Sequence, residues 1–258
     1  MNERRRPAAP APEETEGQLE GRNALQEALK SGRAIDKVFI AAGETDGALQ
    51  RLAASAREAG AVVVPVDRRK LDNMSFTHAH QGVIALAAAH SYYTIDDILA
   101  EAASRGEAPL IVICDELSDP HNLGAILRSA ECAGAHGVII PKRRSVGLTA
   151  TVAKASAGAV EYMKVARVTN LNSAIAELKE KGVWVYGTAA DSTVSLYRAD
   201  LTGPAAIVIG SEGSGISPLV RKNCDMMLSV PMRGKINSLN ASAAASILLY
   251  EAVRQRQL

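Results

Sequence analysis

The chain has 258 residues, of which 47% are hydrophobic and 22% are charged, and its formal net charge is +1. This length allows one large domain or two smaller ones, and the hydrophobic share is sufficient for a buried core. The nearly balanced charge does not by itself predict a polyanionic partner. No apolar run approaches the ~20 residues that cross a bilayer, so no membrane partner is expected.

The chain opens with MNERRRPAAPAPEETEG, which is rich in Pro, Ala and Glu and contains three consecutive arginines. No apolar segment follows these arginines, so the stretch lacks the core of a secretory signal. Its composition is typical of chains that cannot bury enough apolar surface to fold. Residues 1–17 are therefore predicted to form a disordered tail.

Residues 18–90 alternate between helix-like and strand-like segments. GRNALQEALKSG predicts a helix with Asn23 as its N-cap and Gly32 as its stop, while KVFIAAG and AVVVPV predict strands. HQGVIALAA closes the segment with another apolar strand. The pattern indicates a small α/β domain of about 70 residues. The polar residues 91–107 that follow are predicted to be a linker.

A second alternation occupies residues 108–258. LIVICDE is a nearly continuous apolar run, as in parallel strands that are buried on both faces. Helical patterns then alternate with the strand-like segments GVIIP, EYMKVARV, VWVYGTAA, AAIVIG and MMLSV. This order predicts a mostly parallel sheet with helices on both faces.

Three junctions between strand and helix carry small polar residues that a buried helix would not need. Their sequences are DPHNLGAILRSA, AAIVIGSEGSGIS and VPMRGKINSLNASAAASILLYEAVRQ. Open α/β sheets bind ligands at such strand ends, so the three junctions predict one shared site. Two alternatives stay open at this point: Asn122 as a helix N-cap, and Arg128 as a surface ion-pair partner.

The glycines of IGSEGSG are spaced G-x-x-G-x-G. This is the wrong order for the dinucleotide fingerprint G-x-G-x-x-G, and the segment lacks the ending of a phosphate loop. A nicotinamide dehydrogenase is therefore disfavoured. Glycines here permit positive φ angles and a close approach of a ligand to the backbone. Glu212, in the same loop, is interpreted as a helix cap or as a partner for an arginine.

The three cysteines, Cys114, Cys132 and Cys224, are far apart and form no C-x-x-C pair. They are interpreted as buried core thiols of a reducing cytoplasm, because neither a zinc site nor a disulfide framework fits their spacing. The histidines show no ligand spacing either, so no metal is expected. The cluster Lys142-Arg143-Arg144 is typical of solvated surface and, less often, of a phosphate contact.

Taken together, the three junctions resemble the signature motifs of the SpoU, or TrmH-like, family of RNA ribose 2′-O-methyltransferases. They occur in the family's order, and the resemblance covers nearly all of the chain after about residue 18. GRNALQEAL and HQGVIAL resemble the ribosomal-protein-like substrate-binding domain that precedes the catalytic domain in many members. The most similar subgroup is the RlmB-like enzymes, which modify a guanosine of 23S ribosomal RNA.

The resemblance implies a SPOUT-type catalytic domain with a parallel sheet and a C-terminal trefoil knot. It also implies S-adenosylmethionine as methyl donor and a homodimer whose active site is completed across the two subunits. The cofactor contacts that it implies are Thr188, Gly210, Val230, Met232 and Leu239.

The catalytic positions implied by the resemblance are Asn122, Arg128, Glu212, Ser238 and Asn240. The counterpart of Arg128 is proposed in the family as the base that draws the proton from the ribose hydroxyl. An arginine resists deprotonation, so binding of the adjacent phosphate is the alternative role. Asn122 and Glu212 would orient Arg128, while Ser238 and Asn240 would position the ribose and the loop.

The expected function is therefore cytoplasmic methylation of a ribose 2′-hydroxyl in large-subunit ribosomal RNA. Two alternatives remain: the same chemistry on transfer RNA, and a non-catalytic RNA-binding protein of the same fold. The full set of matched catalytic residues argues against the second alternative. The ribosomal substrate is favoured only by the subgroup resemblance.

Overall fold

The computed structural model describes residues 17–43 and 46–257, which belong to two compact units, Met1–Ala88 and Ala89–Leu258. The predicted disordered tail lies outside the described residues except for Gly17. The Gly17 carbonyl accepts a hydrogen bond from the Ala87 backbone N–H at 2.9 Å, so this residue is tied to the first unit. None of the described helices is long and apolar enough to cross a bilayer.

The first unit contains a four-stranded sheet in the order β1-β4-β2-β3. Its strands are β1 (Gln18–Glu20), β2 (Ile35–Ala41), β3 (Val62–Val66) and β4 (Val83–Ala87). Its helices are α1 (Arg22–Lys30), α2 (Gly47–Glu58) and α3 (Arg68–Met74). Strands β2 and β3 are parallel, whereas β4 runs antiparallel to both β1 and β2.

The start of α1 differs from the sequence prediction. Gly21, at φ 89°, is the N-cap, and Asn23 lies inside the first turn. Gly21 takes this position because its N–H bonds the Val83 carbonyl at 3.2 Å, and its backbone adopts an angle that glycine tolerates. Gly32 follows the end of the helix at φ 72°, as the sequence indicates.

Glu20, at the end of β1, fixes the loop that precedes β4. Burial tends to raise the pKa of its carboxyl, but hydrogen bonds from Thr77, Ser75, the Phe76 backbone and Gln18 lower that pKa to about 2. The Ser75 hydroxyl donates at 2.7 Å and the Phe76 N–H at 2.9 Å. The ionised carboxylate therefore stabilises this loop in the folded chain.

We expect Glu20→Gln to expose the Phe76 and Thr77 amides to roughly tenfold faster hydrogen exchange at neutral pH. A lowered pKa stabilises the fold above the ordinary value of 4.5, and this contribution disappears as pH falls towards 2. The difference between variant and parent in exchange protection should shrink over that range. Glu58→Gln, which changes an exposed carboxylate on α2, is the control, and equal exchange in all three chains would contradict the expectation.

The second unit contains a six-stranded sheet in the order β10-β8-β9-β5-β6-β7, and every strand pair in it is parallel. Its strands are β5 (Leu110–Cys114), β6 (Gly137–Pro141), β7 (Val165–Val168), β8 (Trp184–Thr188), β9 (Ala205–Ile209) and β10 (Met226–Leu228). Its helices are α4 (Ile95–Arg105), α5 (Pro120–Cys132), α6 (Ala150–Ala155), α7 (Leu171–Glu180), α8 (Pro218–Asn223) and α9 (Ala241–Arg256).

Helices cover both faces of this sheet, which confirms the predicted architecture. One apolar cluster joins the sheet to α5 and α9 through side chains such as Leu127 and Leu248. The other joins the opposite face to α4 and α7 through Ile98 and Ile175. The segment 91–107, predicted to be a linker, therefore includes helix α4, which packs in the second unit. Ile98 of this helix lies so close to Gly137 that a Cβ at Gly137 would overlap it.

The cysteine prediction is wrong in one of three cases. Cys114 is buried and Cys224 is partly buried, but Cys132 is exposed at the end of α5 because it lies on the outward side of that helix. Burial raises the pKa of the Cys114 thiol to about 12 and that of the Cys224 thiol to about 11. Both of these thiols are therefore protonated at neutral pH.

Candidate functional site

A pocket of about 440 Å³ lies where β8, β9 and β10 end. Its walls come from residues 188–191, the loop that follows β9, and the segment that joins β10 to α9. The sequence-predicted cofactor contacts that line it are Thr188, Gly210, Val230, Met232 and Leu239. The volume lies within the range of about 300–1,000 Å³ that is usual for small-molecule sites.

The glycine loop after β9 forms one wall of this pocket. Ser211 and Gly215 bond each other through two backbone hydrogen bonds of 3.1 and 2.9 Å, which close a narrow turn. A Cβ at Gly210 would overlap the backbone of Gly215 and Ile216. Of the loop's glycines only Gly215 has a positive φ, so Gly210 is required by close packing of the loop on itself.

Asn122, Glu212 and Asn240 form one hydrogen-bonded network beside the pocket. The Asn122 side-chain amide donates to Glu212 Oε1 at 2.9 Å, and that of Asn240 donates to Asn122 Oδ1 at 2.8 Å. The Asn240 amide also donates to Glu212 Oε1. Three segments that are far apart in the sequence are thereby held together at the carboxyl ends of the strands.

The two asparagines differ in their local roles. Asp119 is the N-cap of α5, so Asn122 is not the cap that local sequence suggests but a buried residue inside the first turns. Asn240 is the N-cap of α9, and its Oδ1 accepts from the Ser242 and Ala243 N–H groups at 3.0 and 3.2 Å. Asn240 therefore couples the start of α9 to the network.

Ser238 precedes α9 and lines the pocket. The last helix begins at Ala241, so Ser238 lies outside its first turn. It lies within the exposed residues 231–240, which connect the pocket wall to the Asn240 cap. Its hydroxyl is therefore available to a ligand in the pocket.

Arg128 stands apart from this network. The predicted orientation of Arg128 by Asn122 and Glu212 is absent within the described chain, because those two residues bond each other and Asn240. At 3.6 residues per turn, Arg128 points about 120° away from Asn122 around α5. Its side chain is exposed and has no hydrogen-bond or ion-pair partner among the described residues.

Gly124 explains why α5 and α6 approach closely. A Cβ at Gly124 would overlap Ala155 of α6, and Gly124 is buried. The missing side chain therefore serves helix packing. Leu123, Ile126 and Leu127 form an apolar stripe of α5 that is fully buried.

Sequence reasoning missed three charged residues at the site. Asp115 is buried at the end of β5, and its Oδ2 accepts from the Ser217 N–H at 2.7 Å, which anchors the end of the glycine loop. Asp191 and Arg221 both line the pocket and form an ion pair at 3.1 Å. Asp115 could have been found from its place after an apolar strand, but no local signal pairs Asp191 with Arg221.

The walls of the pocket combine apolar and polar groups. Met227, Leu228 and Leu248 supply apolar surface, while Glu212 and Ser238 supply an acceptor and a hydroxyl. Such a lining suits an organic ligand with a polar end. Within the described ranges, no group of three His, Cys, Asp or Glu side chains is placed to hold a metal ion.

Family profiles match both units. The profile of the SpoU rRNA Methylase family matches residues 109–250. A profile described as RNA 2′-O ribose methyltransferase substrate binding matches residues 18–93. The two matches together extend over most of the described chain.

Curated proteins match along nearly the whole chain. A Bacillus subtilis protein, which carries the provisional name TrmH family tRNA/rRNA methyltransferase YacO, is 49% identical over 236 residues. That match covers 92% of this chain and 94% of the relative. An uncharacterized tRNA/rRNA methyltransferase of Synechocystis is 43% identical over 257 residues, covering 97% of this chain and 67% of that one.

Solved structures show the same architecture. The SpoU methyltransferase AviRb from Streptomyces viridochromogenes, solved in complex with AdoMet, matches with a TM-score of 0.60 and 25% identity. The match covers 93% of this chain and 90% of AviRb. An AdoMet-bound rRNA methyltransferase from Sinorhizobium meliloti matches with a TM-score of 0.58 and 25% identity, covering 92% of this chain and 86% of that one.

Proposed function

The chain belongs to the SpoU rRNA methylase family, and we propose that it transfers the methyl group of S-adenosylmethionine to a ribose 2′-hydroxyl of RNA. The observation that carries this proposal is the pocket at the ends of β8, β9 and β10, adjoined by the Asn122–Glu212–Asn240 network. The expected target is a guanosine of 23S ribosomal RNA. The supporting argument for that target is the resemblance to the RlmB-like subgroup.

The pocket fits the cofactor in size and in lining. Gly210 and the narrow turn after it bring backbone atoms to the pocket surface, and Thr188, Val230, Met232 and Leu239 complete the contacts. S-adenosylmethionine supplies a methyl group that is already activated on a sulfonium. The main task of the protein is therefore to place the ribose hydroxyl in line with that methyl group.

The polar residues beside the pocket are proposed to position the substrate. Glu212 and Asn240 hold the start of α9, and Ser238 presents its hydroxyl to the pocket from the neighbouring loop. Arg128 is proposed to bind the phosphate next to the target ribose, since its bidentate guanidinium suits that group. Its fixed positive charge also stabilises the hydroxyl as its proton leaves.

In a homodimer, Arg128 of one subunit would lie at the pocket of the other subunit. The Ser129 and Ser246 hydroxyls bond at 2.8 Å, so α5 and α9 lie against each other. The exposed or half-buried residues of these two helices include Ala125, Arg128, Cys132, Ala243, Ile247 and Tyr250. We propose that a second copy packs on this largely apolar face, and that Arg128 of one subunit serves the pocket of the other. We also propose that the C-terminal segment follows the knotted path that the family resemblance implies.

Mixing two inactive variants tests the shared active site. Arg128→Ala keeps the pocket, and Gly210→Ala keeps the arginine. In an equal mixture that exchanges subunits, half of the dimers are mixed, and each has one complete site of two. We therefore expect about one quarter of the parental activity. Activity no higher than that of the separate variants, with dimers verified by light scattering, would contradict an arginine supplied across the interface.

Residues 18–90 are proposed to bind the RNA substrate. This assignment is supported by the match to the substrate-binding profile over residues 18–93. The names of the relatives include both tRNA and rRNA, so the substrate class needs its own test. A cytoplasmic location is proposed with the same function, and the free thiols of the three described cysteines agree with a reducing compartment.

The deciding experiment is transfer of labelled methyl from S-adenosylmethionine to RNA from a strain that lacks this protein, with the modified nucleotide mapped. Label on a single 2′-O-methylguanosine of 23S RNA is the expected result. Label on transfer RNA alone would retain the chemistry and overturn the substrate. If neither RNA is labelled and no cofactor binds, the alternative of a non-catalytic RNA-binding protein takes precedence.

A further inference from the structure

The loop between β6 and α6 carries three consecutive cations outside the pocket. Arg143 and Arg144 are exposed and Lys142 is half-buried. The Arg144 guanidinium donates to Glu116 Oε1 at 2.9 Å. Lys142 and Arg143 have no hydrogen-bond or ion-pair partner for their side chains within the described part of the chain. Two positive charges on this loop are therefore not neutralised.

This basic loop, residues 142–146, is held firmly by its neighbours. The Lys142 N–H bonds the Val168 carbonyl at 2.8 Å, and the Val146 N–H bonds the Leu117 carbonyl at 2.9 Å. The Ser145 hydroxyl donates to the same Leu117 carbonyl. Arg144 adopts a φ of 57°, which non-glycine residues rarely do. These contacts therefore fix the backbone from which the three cations project.

Contacts connect the basic loop to the wall of the pocket. Strand β5 lies between β6 and β9, so the loop after β5 separates the basic loop from the glycine loop. Asp115 bonds the glycine loop on one side, through Ile209 and Ser217. Leu117 bonds the basic loop on the other side. Two strand spacings of ~4.8 Å place the end of β6 about 10 Å from the end of β9.

The carboxylates near this loop are already engaged. Glu116 pairs with Arg144, and Asp119 accepts from the His121 N–H at the start of α5. Asp115 is buried and faces Ser217. These carboxylates therefore do not neutralise Lys142 and Arg143, whose positive charges lie near the carboxyl ends of the strands. A polyanion that reaches the pocket would pass within range of them.

We propose that Lys142 and Arg143 bind backbone phosphates of the RNA one or two nucleotides from the target ribose. The Arg144–Glu116 pair fixes the loop that presents them. This inference rests on the proposed function, because it takes the RNA ribose to be at the pocket. Neither residue lines the pocket, so their contact is with the flanking backbone and not with the cofactor. Phosphate contacts of this kind fix register without reading sequence.

The test is binding of a large-subunit ribosomal RNA transcript to the full-length chain without cofactor, at several salt concentrations. We expect Lys142→Ala/Arg143→Ala to weaken binding roughly tenfold or more at moderate salt, and to lower the slope of log affinity against log salt by about 1–2. Arg143→Lys should retain most of that slope. The control is Arg105→Ala/Lys181→Ala, which removes two cations shortly before β5 and β8, at the amino ends of the parallel strands and opposite the pocket.

Equal affinity and equal salt slope in the two double variants would overturn the proposal. The result does not depend on catalysis, since no methyl transfer is measured. If the parent chain methylates no RNA, the proposed function fails, while the comparison of the two double variants still decides the role of the loop. For an active parent, the expected change is a raised KM for RNA with kcat and cofactor affinity unchanged.

Discussion

Arg128→Ala is expected to lower kcat/KM for methyl transfer by about 10³-fold while the Kd for S-adenosylmethionine changes less than about twofold. The physical reason is that Arg128 is exposed and lies outside the pocket of its own chain, so the cofactor contacts remain intact. The loss falls on the step in which the ribose hydroxyl is positioned and its charge stabilised. Single-turnover methylation and equilibrium cofactor binding would measure the two effects separately.

Two further variants sharpen this experiment. Arg198→Ala removes another exposed arginine that has no partner among the described residues, and it should retain parental activity. Arg128→Lys keeps the charge but loses the bidentate fork, so partial activity would favour phosphate binding by charge. Near-normal turnover of Arg128→Ala would show that Arg128 is not the key residue.

Gly210→Ala is expected to raise the Kd for S-adenosylmethionine by about 100-fold or more. A Cβ at this position would overlap the backbone of Gly215 and Ile216, so the turn after β9 must open and its backbone must leave the pocket wall. The overlap is with main-chain atoms, which cannot move aside as a flexible side chain would. Isothermal titration calorimetry gives the affinity directly.

Gly213→Ala is the matched control for this variant. A Cβ at Gly213 would meet no atom within 4 Å, and its φ is not positive, so a methyl group is accommodated without strain. Its cofactor affinity should lie within about twofold of the parent. A thermal melt of both variants separates loss of binding from loss of folding. Equal affinities of the two variants would refute the proposed role of the narrow turn.

The Asn122–Glu212–Asn240 network differs in one respect from the arrangement that the family resemblance implied, in which Asn122 and Glu212 orient Arg128. Each asparagine amide is committed to the network, and Asn240 also caps α9. Within one chain these residues fix the positions of three segments, and Arg128 lies outside their network. Because Arg128 faces outward from α5, we expect it to reach the cofactor pocket of the second subunit in the proposed dimer.

Much of the fold could be predicted from local sequence. The apolar run Leu110–Cys114 predicts a strand buried on both faces, and it is completely buried in the centre of the parallel sheet. Helices α5 and α9 follow their periodic patterns to within a few residues. Cap positions were less predictable. Gly21 is the N-cap of α1 in place of the expected Asn23, and Asp119 is the N-cap of α5 in place of Asn122, for which capping was one open alternative. Chain contacts decide which of several suitable residues begins a helix.

The sequence alone determined the alternation of strands and helices and the three ordered motifs, because these depend on local periodicity and residue type. The family resemblance, and not periodicity, implied five of the residues that line the pocket. Only the tertiary structure decided that Asn122 bonds Glu212 and Asn240, that Arg128 faces outward, and that the basic loop lies two strands from the glycine loop. Asn122 and Asn240 are separated by 118 positions. Such contacts follow from the order of strands in the sheet, which local periodicity does not encode.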